Sequence, residues 1–330
     1  MKIIDEIYKE KEFNFPTFDI YFGGMNGAVF DIETTGLSPK NSAIILSGFV
    51  MPQKDGSFLC KQIFAESLDD ESAVIEETLK VMENLDYIVT YNGISFDVPF
   101  IEKRMNKLGI KDSPMPFNLD IYKIVKKCSD IRKFTPNLRQ KTLENYMGLW
   151  PNRADLIDGG ISVELYASYL IDRDPEKERQ ILLHNSDDVK QLYRLLEVLK
   201  STDFHKAMCT EGFPCGKTVK VNSISVTKKS LKISGECTNP LLSYKCYDDI
   251  CGIFADAQRG SFTVDISLIK EGTITFADLD ILKAPTNIFT NCGSLVRHYL
   301  VLSENDKINF PAAALLGKHL TERIIKNGLR

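Results

Sequence analysis

The 330-residue sequence has no apolar run near the roughly 18 to 20 residues a membrane span needs, no internal repeat, no low-complexity segment and no Gly/Ser-rich linker. A membrane-spanning chain, a repeat solenoid and a collagen or coiled-coil rod are therefore excluded. Acids at Asp5 and Glu6 stand where a signal peptide would carry its apolar stretch, so a cytoplasmic protein without membrane contact is expected. Eight cysteines in a chain of this length make no disulfide framework, and none forms the C-x2-C of a zinc ribbon. They read as reduced, mostly buried thiols. With His205 and Cys237 nearby, the pairs Cys209/Cys215 and Cys246/Cys251 keep a metal site open as an alternative, while His298 and His319 lack partners at ligand spacing.

There is also no basic surplus. The net charge is −4. Residues 1–200 carry 25 Lys and Arg against 32 Asp and Glu, and residues 201–330 carry 16 against 13. The acidic half is an unlikely passive nucleic-acid binder, because nonspecific affinity comes from neutralising phosphates, but an acidic surplus is expected where carboxylates hold divalent cations.

The patterning divides the chain. Asn26 to Asp31, Ala43 to Met51, Phe58 to Phe64 and Tyr87 to Tyr91 read as strands, with a helix from Asp70 to Leu85 before the fourth. Helices are predicted over Val98–Leu108, Leu119–Lys127, Gln140–Met147 and Ser162–Leu170. Another starts at Asp174 and Pro175 and runs to Lys200, with a break at Asn185 and Ser186. Beyond Ser201 the texture turns to strands (Thr218–Val226, Ser230–Cys237, Cys251–Phe254, Ser261–Ile269, Thr273–Phe276), closed by a helix over Ala312–Lys326. The expected organisation is an N-terminal extension (1–25), an α/β domain (26–204) and a β-rich domain (205–330).

Chemistry concentrates in the first of these domains. Asp31 and Glu33, at i and i+2 of a strand, share a face. About 4 Å apart at an effective dielectric near 20, two such charges repel by about 4 kcal/mol, so the pair wants protonation, solvent or a cation. Alone, a D-x-E reads as two solvated acids. Two further elements change that: Asp97 follows the fourth strand at the start of a helix, where open sheets bind ligands, and His184 and Asp188 lie at i and i+4 of a helix face.

DIETTGL (31–37), N-x-x-x-F-D (92–97) and an aspartate preceded by His on the last helix resemble the DEDD (DnaQ-like) 3′-to-5′ exonuclease superfamily of the ribonuclease-H-like fold. The pattern is most similar to its YprB-like branch through Leu119–Tyr122 (LDIY), Leu138–Gly148, Arg153–Gly159 and HNSDDV at 184–189. The resemblance spans about residues 26–200. It implies a mixed five-stranded sheet flanked by helices, with two divalent cations, Mg²⁺ or Mn²⁺, held by Asp31, Glu33, Asp97 and Asp188. It further implies that His184 takes a proton from the attacking water, and that Thr34, Gly36 and Leu37 meet the terminal nucleotide of a single-stranded 3′ end of DNA or RNA. Asn92 and Phe96 line the same cleft, though Phe96 with Phe100 equally suits core packing. His184 precedes Asp188 by four positions, the spacing of the Tyr-type branch rather than the five of the His-type, and Asp187 competes as a ligand. The function so implied is a metal-dependent 3′-to-5′ exonuclease. A scaffold without turnover and an endonuclease using the same site are the alternatives. In the second domain, five lysines between 217 and 232 with no acid could track a phosphate backbone or form a solvated face; the lack of interleaved aromatics favours the latter.

Overall fold

The computed structural model describes residues 1–111, 115–149, 151, 154, 159–216, 218–237, 244–247, 251–256 and 258–326. The chain divides into two compact units, Met1–Pro16 with Gly23–Thr202, and Thr17–Phe22 with Asp203–Arg330. Among the described residues no helix is long and apolar enough to cross a membrane. Arg153, residues 155–158 and Lys217 lie outside the described residues, as does the side chain of Cys246.

The elements through residue 202 are β1 (Lys2–Tyr8), α1 (Pro16–Phe22), β2 (Gly27–Thr34), β3 (Ile44–Pro52), β4 (Phe58–Phe64), α2 (Glu71–Met82), β5 (Tyr87–Thr90), α3 (Asp97–Leu108), β6 (Phe117–Asp120), α4 (Ile121–Cys128), α5 (Gln140–Tyr146), α6 (Gly159–Asp172) and α7 (Pro175–Leu195). The sheet order is β1-β4-β3-β2-β5-β6. Strands β1 to β4 pair antiparallel, and β5 and β6 run parallel to β2. Ile44 to Val50 of β3 are all buried, as a strand with both faces covered must be. Val74, Ile75, Leu79 and Met82 of α2 and Phe100, Ile101 and Met105 of α3 join Phe30, Phe49 and Phe64 in one core cluster, and α7 packs on β2, β3 and β4.

The sheet has six strands rather than the five expected. Residues 1–25, taken as an extension, contain β1 and α1. β1 is an edge strand whose charged residues leave it mostly exposed, so it lacks the alternation that marks a strand in sequence. β6 is the four residues FNLD, short enough to be read as the start of the helix that follows. α7 passes unbroken through Asn185 and Ser186, because the Asn185 amide is engaged by Gln62 and Asp31 and the Ser186 hydroxyl lies 3.8 Å from Cys60 Sγ rather than bonding to the helix backbone. Asp174 caps its start by accepting from Glu176 N at 2.9 Å, with Pro175 in the first position.

One buried ion pair ties the loop after β2 to the helices behind it. Arg104 of α3 donates from Nε to Glu71 Oε1 at 2.7 Å and from Nη2 to Glu71 Oε2, and its Nη1 reaches Pro39 O at 3.0 Å. Glu71 Oε1 also accepts from Ile44 N at 2.8 Å. Glu71 is 4% exposed and Arg104 6%, so neither charge has water to fall back on.

The second unit contains α8 (Phe204–Glu211), β7 (Phe213–Pro214), β8 (Val219–Val226), β9 (Ser230–Cys237), β10 (Tyr244–Tyr247), β11 (Cys251–Asp256), β12 (Ser261–Ser267), β13 (Ile269–Glu271), β14 (Ile274–Asp278), β15 (Leu295–Val296), β16 (Tyr299–Glu304), β17 (Lys307–Ile308) and α9 (Phe310–Lys326). One sheet runs β10-β11-β12-β9-β8-β7, another β13-β14-β16-β15 with β17 on β16. α1 packs here through Phe18, Tyr21 and Phe22 against Phe204 and Phe213, and the Tyr21 hydroxyl lies 2.7 Å from His205 Nδ1. Gly317 lets α9 approach β8, since a Cβ there would meet Ile224 Cδ1 at 2.4 Å. Cys209, Cys215 and Cys237 are buried free thiols. Lys220 pairs with Glu236 and Lys228 with Asp306, each at 3.1 Å.

Arg104→Met should cost about 3–5 kcal/mol in urea unfolding, because it strands the Glu71 carboxylate in the interior. Adding Glu71→Gln, which keeps an acceptor for Ile44 N without the charge, should recover a large part of that loss. A double variant no more stable than Arg104→Met alone would show that the buried charge is not the cause.

Candidate active site

Asp31 and Glu33 sit near the end of β2, opposite Gly48 and Leu46 of β3, and the ladder slips between Glu33 and Thr34. Such an irregularity bends a strand and re-aims its side chains. β5 ends at Thr90, and the chain turns through Asn92 at φ +65°. The buried Asp120 carboxylate holds that turn by accepting from Asn92 N at 3.0 Å and Ile94 N at 3.2 Å, while capping α4 through Lys123 N at 3.3 Å. The turn delivers Asp97 to the first position of α3. There its Oδ1 accepts the Ile32 N–H at 3.2 Å, tying it to the backbone between Asp31 and Glu33. From α7, His184 Nε2 lies 3.6 Å from both Glu33 Oε1 and Asp188 Oδ2, too long for hydrogen bonds but close enough for one cluster.

The cluster is largely buried, with Glu33, Asp97 and His184 inside and Asp31 and Asp188 half-buried at its edge. Burial above all, then the charges of Asp97, Asp188 and Glu33, hold the Asp31 carboxyl well above the ordinary range, with the Asn185 amide pulling the other way. Burial raises Glu33 to about 7 against the opposing pull of His184, and raises Asp97 to about 7 despite its backbone hydrogen bonds. Carboxylates from β2, α3 and α7 thus crowd a site where only protons or a cation can balance them. An all-carboxylate oxygen set suits Mg²⁺ or Mn²⁺. Glu33, His184 and Asp188 each present a ligand atom, all within 4.8 Å of one another, while Asp31 and Asp97 lie outside that tight group.

A second layer holds Asp31. Asn185 Nδ2 donates to Asp31 Oδ2 at 3.3 Å, while Asn185 Oδ1 accepts from Gln62 Nε2 at 3.0 Å, and the same Gln62 nitrogen reaches Leu182 O at 2.8 Å. Asn185 fits only because residue 48 has no side chain: a Cβ on Gly48 would lie 2.1 Å from Asn185 Oδ1. Sequence reasoning missed Gln62 and Gly48 altogether and read Asn185 as a helix break. Only its place between His184 and Asp188 hinted otherwise.

The other expected residues are distributed as follows. Thr34 is buried, its hydroxyl donating to Gly36 O at 2.9 Å. Leu37 is 86% exposed on the loop beyond. Phe96 is half-buried and packs on Phe100 at 5.5 Å, against the core cluster. Asp187 accepts the Ala154 N–H at 2.6 Å and is not in the group formed by Glu33, His184 and Asp188. A second group, Asp278, Asp280 and His298, forms in the other unit, where β14 and β16 bring together residues twenty apart, and contains no cysteine.

Gly48→Ala should displace Asn185, release Asp31 and weaken Mn²⁺ binding by about 10- to 100-fold, the usual worth of a group that orients a ligand. Unchanged Mn²⁺ affinity in calorimetry, with a parental circular-dichroism spectrum, would remove Asn185 from the site's support.

Curated relatives that match parts of the chain include two DNA polymerases. A DNA polymerase of Pyrococcus glycovorans is 36% identical over 90 residues, covering 25% of this chain and 12% of its own length. The PolC-type DNA polymerase III of Ureaplasma parvum serovar 3 is 33% identical over 109 residues, covering 27% of this chain and 8% of its own length. The chain thus spans only about a tenth of the relatives it matches. Among solved structures, the family B DNA polymerase of Pyrobaculum calidifontis aligns at TM-score 0.43 with 22% identity, over 58% of this chain and 25% of that one. E. coli Exonuclease I in complex with a dT13 oligonucleotide aligns at TM-score 0.35 with 11% identity, over 92% and 72%. The family model described as RNase_H superfamily matches residues 28–200, more than half of the chain and the whole of the carboxylate site. The order Asp31, Glu33, Asp97, Asp188 fits the DEDD exonuclease group, and the chain belongs to the RNase_H superfamily.

Proposed function

We propose that this protein is a divalent-metal-dependent 3′-to-5′ exonuclease that hydrolyses phosphodiester bonds of DNA or RNA. The observation that carries the reading is the convergence of acids from β2, α3 and α7 on one buried point, where Asp31, Glu33 and Asp97 all have raised pKa values. So costly an arrangement is expected at a functional site rather than in a structural core.

Asp31, Glu33, Asp97 and Asp188 would hold the cations. Bound there, two divalent ions supply the positive charge that activates a water and stabilises charge on the phosphate and the leaving 3′ oxygen. His184, its Nε2 facing Glu33 and Asp188, takes the proton of the attacking water. Thr34, Gly36 and the exposed Leu37 meet the terminal nucleotide, with Asn92 and Phe96 beside them.

End-labelled DNA and RNA oligonucleotides should be shortened stepwise from the 3′ end with Mn²⁺ or Mg²⁺ and left intact with EDTA, and Asp31→Asn should abolish the shortening. Internal cuts would indicate an endonuclease, and no cutting with either metal would sink the reading. His184→Ala should slow turnover by about 10² to 10⁴.

A pH prediction follows from Glu33 and Asp97. Their folded-state pKa values are raised from 4.5 and 3.8 to about 7, so the fold favours their protonated forms. The stability they contribute is complete below a pH of about 4 and lost as pH rises through about 7. In EDTA the melting temperature should therefore fall between about pH 5 and about pH 8, and Mn²⁺ should erase that fall. A flat metal-free profile would contradict the buried-carboxylate account.

A further inference from the structure

The first unit is acidic, yet residues 122–148 hold seven Lys or Arg against two acids, Asp130 and Glu144. Of the two acids, only Asp130 offsets that charge at the surface, and it does so at Lys133. Asp130 is paired with Lys133 at 2.7 Å, and Glu144 is fully buried, accepting from Gln140 at 3.0 Å. In this basic stretch lies a groove of about 510 Å³ lined by Phe134, Pro136, Lys141, Thr142 and Tyr146. Phe134 is 70% exposed and Tyr146 47%, high values for aromatic rings.

The groove is preformed. The turn that carries Phe134 is closed by Phe134 N to Ile131 O at 2.9 Å and by Thr135 Oγ1 to Ile131 O at 3.1 Å. Asn137 Oδ1 accepts from Arg139 N at 2.9 Å and Thr142 Oγ1 at 2.7 Å, fixing the start of α5. The same elements adjoin the carboxylate site: Gln140 Nε2 donates to Asp188 O at 3.1 Å, and the Tyr91 hydroxyl donates to Leu138 O.

Taking the nuclease reading as its premise, we propose that this groove is a stacking platform for the unpaired strand leading to the active site. Exposed rings flanked by cations match the two faces of such a strand. Bases stack on Phe134 and Tyr146 whatever their identity, and phosphates lie against Lys133, Arg139 and Lys141. In a duplex the bases are stacked on one another, leaving the rings nothing to cover. The lysines of β8 and β9 lack such rings.

The test is fluorescence anisotropy of the full chain in EDTA with labelled oligothymidylate and with a blunt duplex of equal length. The parent should bind the single strand more tightly. Phe134→Ala with Tyr146→Ala should weaken that binding by about tenfold or more, from the roughly 1–3 kcal/mol that each stacked base contributes, while the melting temperature stays parental because both rings are exposed. Phe134→Trp should keep the affinity. Lys133→Gln, Arg139→Gln and Lys141→Gln together should flatten the log–log salt slope by about 0.7 for each phosphate that is no longer neutralised. Equal binding of duplex and single strand, parental affinity in the double alanine variant, or displacement of the strand by polyglutamate at equal charge concentration would each overturn the proposal. The premise is read separately, through hydrolysis of thymidine 5′-p-nitrophenyl phosphate by the parent and by Asp31→Asn. That ester is too small to reach the groove, so loss of the groove and loss of the nuclease reading give different results.

Discussion

The repulsion among buried carboxylates is the constraint on which the first unit depends. Asp31, Glu33, Asp97 and Asp188 come from three elements into one largely buried site, and burial pushes the first three well up from their ordinary pKa values. A pair of like charges a few ångströms apart separates unless the backbone around it is over-determined. Several features supply that rigidity: the Ile32 amide on Asp97, the Asp120 clamp on the turn before it, and the Gln62–Asn185–Asp31 chain admitted by the bare backbone of Gly48. The Glu71–Arg104 pair secures the loop after β2 and the helix that carries Asp97.

The same constraint accounts for the charge distribution. A site that attracts cations gives the domain an acidic balance, which repels a phosphate backbone. On the proposed reading the substrate is gripped locally, and the surplus of cations in 122–148, around two exposed rings, lies on the elements that touch Asp188 and the turn following β5. In that proposal, acidic centre and basic approach are complementary parts of one surface.

Much of this was legible in the sequence because the relevant signals are local. The i, i+2 spacing of Asp31 and Glu33, the strand end before Asp97 and the i, i+4 spacing of His184 and Asp188 each follow from backbone geometry. The central strands and α2, α3 and α9 were readable from apolar spacing. What escaped depends on contacts between distant segments. Gly48 is an ordinary strand glycine until Asn185 is placed above it, and Gln62 is a polar residue of β4 until it meets the same amide. β1 escaped because an exposed, charged edge strand has no buried face to set an alternation, and β6 because four residues are too few. The Asp278, Asp280 and His298 group arises from strand pairing that no spacing rule anticipates.

The central claim is that cations resolve the repulsion of the carboxylate cluster. Counting bound Mn²⁺ by electron paramagnetic resonance at about pH 8, above the values of about 7 to which Glu33 and Asp97 are raised, tests it most directly. The account predicts saturable binding of two ions per chain with the spin–spin broadening of a close pair, reduced to one or none by Asp31→Asn. Absence of saturable binding, or the same two ions in that variant, would contradict it.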